Sequence, residues 1–119
     1  MINQLFEDPF FNITALVGGI LFVAGFIMYR FPPKKINYFY GYRTNSSMKN
    51  QDRWDFAQKY SARQMMVTGF FLAASSLLVL FSDFGSFLTL GVGLAFVILA
   101  GVILLIRVEK AIKRRFEEQ

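Results

Sequence analysis

An all-α membrane protein with three spanning helices is the fold class this sequence predicts, from three observations. Residues 10–29, 65–81 and 86–106 are apolar runs without a single Asp, Glu, Lys or Arg. A bilayer core of about 30 Å needs roughly 20 mainly apolar residues in helix, so each run is a candidate span. Hydrophobic residues make up 55% of the chain, and they are bunched rather than scattered at the helix or strand period of a soluble fold. All 13 Lys and Arg fall in two groups, Arg30 to Arg63 and Arg107 to Arg115. Three spans put both groups on one side, and the positive-inside rule makes that side the cytoplasm and leaves the N-terminus outside.

The first span follows an acidic tail with Glu7 and Asp8. A cleaved signal peptide has a basic start and a shorter apolar run, so this segment is expected to stay. Phe6, Phe10 and Phe11 are expected near the outer interface. Arg30, Pro32 and Pro33 end the helix, because proline cannot continue the backbone ladder and restricts the residue before it.

Residues 30–64 form the cytoplasmic loop, too long to be structureless in a compact domain. Its first part, INYFYGYRT, sets Tyr38, Phe39, Tyr40 and Tyr42 around Gly41. Tyrosine joins an apolar ring to a polar tip, which suits a headgroup zone. Lys34, Lys35 and Arg43 add cations, and the planar fork of Arg43 fits phosphate or carboxylate. Beyond this, Ser46, Ser47 or Asn50 is a candidate helix cap. At helical spacing Trp54, Phe56, Ala57, Tyr60, Ser61 and Met65 share one half of a helix, opposite Gln51, Asp52, Asp55, Lys59 and Arg63, with Arg53 and Gln64 interrupting. This predicts an amphipathic helix that lies on the membrane or packs under the bundle. Asp55 and Lys59 stand in the favourable acid-first i,i+4 order.

The second span extends this helix, and residues 82–85, SDFG, predict a tight turn into the third. Small residues recur four apart at Ala15/Gly19, Gly69/Ala73 and Gly91/Ala95. Such spacing serves close helix packing, within one chain first and between copies second. The third span runs into a basic and then acidic tail, RVEKAIKRRFEEQ.

The chain is one domain of 119 residues with no Cys and no His. That excludes disulfides, thiolate nucleophiles, Cys/His metal sites and histidine acid–base chemistry. No catalytic set, cofactor site or metal site is expected. Uncharged spans argue against a self-contained proton-coupled exporter, which keeps an ionisable group in the membrane. Five basic residues beside a span do not make a nucleic-acid interface. From composition alone the loop is an interfacial collar facing anionic lipid.

Ile36 to Arg63, INYFYGYRTNSSMKNQDRWDFAQKYSAR, resembles the signature of the SdpI/YfhL family of bacterial membrane proteins. The resemblance rests on Ile36-Asn37, the Gly41-Tyr42-Arg43-Thr44 turn, Ser47 and Asn50 ahead of Trp54, and Ala57 with Tyr60-Ser61. It implies a single three-helix module over residues 1–119, multi-pass in the bacterial cytoplasmic membrane. It also implies immunity, the protection of a cell from a secreted peptide toxin, with signalling through a membrane-held repressor as a second association. The founding immunity protein is larger, with further membrane helices before this module. Asn37, Gly41, Tyr42, Arg43, Thr44, Asn50, Trp54 and Tyr60 are then the candidate cytoplasmic-face element, either a binding site or a structural staple. A peptide toxin or regulatory protein is the expected partner beside the bilayer, and a homo-oligomer stays open. A transport or channel subunit and a lipid-binding scaffold are the alternatives.

Overall fold

A computed structural model describes residues 6–81 and 86–116, and all the regular structure in them is helical. Helix α1 is Pro9–Arg30, α2 is Gln51–Ser75, and α3 is Ser86–Phe116. A six-residue 3₁₀ segment, Ser76–Phe81, prolongs α2. The predicted turn at residues 82–85 lies outside the described residues.

The boundaries of α1 and α2 have local causes. Asp8 caps α1, its carboxylate accepting from the Phe10 and Phe11 amides at 2.8 and 3.3 Å, and Pro9 occupies the first turn, where no amide is needed. The helix stops at Arg30, just before the two prolines. Asn50 is the cap of α2, accepting from the Arg53 amide at 2.8 Å. At the far end, Ser75 and Ser76 each donate to a carbonyl three residues back. Serines bonding back onto the ladder accompany its change from α to 3₁₀ winding.

No separate amphipathic helix exists between α1 and α2. Residues 51–64 are the first half of one 25-residue helix that continues into the predicted second span. Nothing in the sequence breaks the ladder there. Of the expected apolar face, Trp54, Ala57 and Ser61 are buried and Phe56, Tyr60 and Met65 half-buried, while Gln58 and Ala62 are buried beside them. Gln51, Asp52, Asp55, Lys59 and Arg63 are exposed, as the helical spacing requires. Asp55 accepts from Gln51 at 2.8 Å, and no Asp55–Lys59 ion pair is formed among the described residues.

Helix α1 packs most closely on α2. The contact is made by glycines. A Cβ on Gly18 would stand 2.5 Å from the Ala73 nitrogen, and one on Gly69 would stand 2.5 Å from the Gly18 oxygen. Gly69/Ala73 therefore serves packing within the chain, while Gly19 and Gly91 face open space. Phe10 is buried within the helices, its ring edge-on to Phe96 at 5.1 Å.

Two helices, Pro9–Arg30 and Leu88–Phe116, are long and apolar enough to cross a membrane. Their outer faces are large exposed hydrophobics, among them Leu16, Ile20 and Val23 on α1 and Leu94, Ile98 and Val102 on α3. Water does not tolerate patches of this extent on a soluble monomer. The far half of α2 exposes Val67, Phe70 and Phe71 likewise, continued by Leu77 and Leu78.

Candidate functional site

The loop folds back onto one end of the helices and is held there at three points. The first is Trp54, fully buried, whose indole Nε1 donates to the Pro33 carbonyl at 2.7 Å. This ties the end of α1 to the start of α2, and Gln51 adds a bond from Nε2 to the Lys34 carbonyl at 2.6 Å.

The second point is Gln58, a polar residue only 1% exposed. Its Oε1 accepts from the Tyr42 amide at 2.7 Å, and its Nε2 donates to the Tyr42 carbonyl at 2.8 Å. The side-chain amide thus pairs with the loop backbone as a neighbouring strand would. Gly41 makes this approach feasible. Its φ is +114°, and a Cβ there would meet Gln58 Oε1 at 2.5 Å and Pro33 Cγ at 2.7 Å. Only glycine fits such a position without strain.

At the third point, Glu109 of α3 accepts three hydroxyls from the loop. Tyr42 Oη lies 2.9 Å away, Thr44 Oγ1 3.2 Å and Ser46 Oγ 2.9 Å from the carboxylate. Bonds to a charged acceptor are roughly twice as strong as neutral ones. Burial and the neighbouring carboxylate push the Tyr42 phenol well above its ordinary value. Fully buried Ser47 closes the turn, accepting from the Thr44 amide at 2.9 Å and reaching the Tyr42 carbonyl at 3.1 Å.

Below this polar layer sits a small apolar core of Ala57, Val108, Ile112 and Phe116, with Tyr42, Phe56 and Tyr60 against it. Tyr60 stacks on Phe56 with ring centroids 5.6 Å apart. Arg115 lies over the Phe56 ring at 5.1 Å and Arg53 over Phe116 at 5.5 Å, favourable cation–ring placements.

The eight residues singled out in the sequence therefore divide. Gly41, Tyr42, Thr44, Trp54 and Tyr60 come together around the loop and the facing helices. Asn50 stays at the start of α2 as its cap. Asn37 stands further out, where its Oδ1 accepts from the Phe39 and Tyr40 amides at 2.9 and 2.8 Å and folds the aromatic tip into a tight turn. Arg43 is exposed and makes no hydrogen bond or ion pair among the described residues. Glu109 and Gln58 were missed. Their signals were faint: an acid inside a basic run, and an amide one turn after Trp54. Ser46, one of the three cap candidates, donates to Glu109 instead.

Fold and loop define a helical membrane module with a polar loop tied down at one end. A family model described as the SdpI/YfhL protein family matches residues 34–108, which spans the loop, α2 and most of α3. The chain belongs to the SdpI/YfhL family. It is 46% identical over 68 residues to a Bacillus subtilis (strain 168) protein, uncharacterized protein YfhL. That match takes in 56% of this chain and 62% of the relative, so it spans less than two thirds of the relative's length. No solved structure matches the chain.

Proposed function

We propose that this protein spans the bacterial cytoplasmic membrane three times and works by binding, as an immunity-type protein whose basic loop, at the cytoplasmic face, recognises a membrane-inserted peptide or a protein partner. Family membership supports the immunity-like class. The two long apolar helices support membrane insertion, and the exposed apolar far half of α2 supports a third span. Both basic groups sit at the end where the loop meets Glu109, which supports a cytoplasmic placement of that end.

One observation carries the binding role. In the turn Gly41 to Thr44 every polar side chain is consumed by the protein except Arg43. The turn fixes the Arg43 backbone and leaves its planar guanidinium exposed and uncommitted, which suits a carboxylate or phosphate on a partner. Earlier in the same loop, Tyr38 and Phe39 are 79% and 92% exposed. Lys34 and Lys35 are exposed as well, and these aromatic and cationic side chains suit the anionic headgroup zone, where each cation is worth about 1 kcal/mol.

The test is protection. Cells with and without the gene are challenged with a panel of secreted membrane-active peptides, and the deleted strain is complemented with wild type or Arg43→Ala. The expected result is sensitisation on deletion, rescue by wild type, and weaker rescue by Arg43→Ala at equal membrane abundance. Equal survival of all strains across the panel contradicts the reading.

A further inference from the structure

Residues 67–75 of α2 and 96–107 of α3 face each other across an open groove of about 420 Å³. Its walls are apolar and face outward: Phe71, Leu99 and Ile103 are each half exposed or more. Arg107 closes the groove at the loop end, its Nη1 3.5 Å from Gln64 Oε1. On α3 the lining positions 96, 99, 100, 103 and 107 follow the i, i+3, i+4, i+7, i+11 pattern, so the groove tracks a single helix face.

Length and charge together specify an occupant. Phe96 to Arg107 covers about 16 Å at helical rise. That is half of a hydrocarbon core of about 30 Å, the depth of one leaflet. A spanning helix from another protein would need a track about twice as long. The cation stands only at the headgroup end, and its planar fork fits phosphate oxygens. We propose that the groove is a binding site for one acyl chain of an anionic phospholipid of the cytoplasmic leaflet, with Arg107 receiving the headgroup phosphate. This rests on the membrane placement given above but not on the loop's partner, and it needs no part of the Arg43 face.

Native mass spectrometry of the full chain in mild detergent tests it, after exchange into equimolar phosphatidylglycerol and phosphatidylcholine with identical acyl chains. Wild type is expected to retain phosphatidylglycerol over phosphatidylcholine by about fivefold, the ratio one cation at an anionic surface gives. Arg107→Gln should bring that ratio near one while still retaining lipid. Ala100→Phe, which fills the groove, should release both lipids. Equal retention of the two lipids by wild type overturns the proposal. So does a preference that survives Arg107→Gln and disappears instead in Lys34→Gln/Lys35→Gln. Cysteine-labelling of the topology is read independently, so a failed groove and a failed membrane placement give different results.

Discussion

Glu109 gathers three hydroxyls of the loop onto α3, and no other side chain among the described residues connects so many parts of this end. Removing it leaves Tyr42, Thr44 and Ser46 without their acceptor. Glu109→Ala should lower stability by about 2 kcal/mol, the scale of hydrogen bonds to a charged group. Glu109→Gln, which keeps one carbonyl oxygen, should cost less; thermal melts in detergent would rank them. The Tyr42 bond also sets a pH dependence. The fold raises the phenol above its ordinary value of 10.0, so the protonated form is the one the native state prefers. Its contribution is fully present below pH 10 and is lost as pH climbs above that value. Tyr42→Phe should lose stability at neutral pH and flatten this alkaline decline. Trp54 makes a separate contribution through Pro33. Trp54→Phe leaves a buried carbonyl unpaired, at about 1–3 kcal/mol, while Trp54→Ala adds a cavity and should cost about 3–5 kcal/mol.

At the scale of elements, much was legible because helical periodicity is a local property. The exposed side of residues 51–63 follows from spacing, as do the buried Trp54, Ala57 and Ser61, while the prolines mark the end of α1 and Asn50 is one of three cap candidates for α2. What escaped was non-local. Glu109 is 67 positions from Tyr42, and no spacing rule connects an acid on the last helix to a turn after the first. The same limit applied to the glycines. Four-residue spacing picked Ala15/Gly19, yet Gly18, one residue away, is the close-contact position, because the rotation of α1 against α2 decides which face is covered. Gly18→Leu should therefore disrupt the α1–α2 contact at a cost of about 1–3 kcal/mol or more, with Gly19→Leu nearly neutral. Melting the two variants side by side separates them. A change of oligomeric state in Gly19→Leu alone would show that the open face of α1 meets another copy.

For the whole molecule, the long dimension of 53 Å exceeds the 40–45 Å of a bilayer with its headgroups, which lets the loop end stand clear of the hydrocarbon. The absence of cysteine makes the topology simple to test, since any introduced thiol is unique. Glu7→Cys should react with an impermeant maleimide added outside spheroplasts, and Asn45→Cys only after the membrane is opened. The reverse pattern would invert the protein, and labelling of both from outside would remove a span.

The central claim is that the loop is a folded element latched to α3, and amide hydrogen exchange of the protein in lipid nanodiscs tests it most directly. The Tyr42 and Thr44 amides, bonded to Gln58 and Ser47, should exchange slowly in wild type and fast in Glu109→Ala, with the α1 amides unchanged. Fast exchange at both positions in wild type would contradict the account and leave the loop an unstructured tether between two helices.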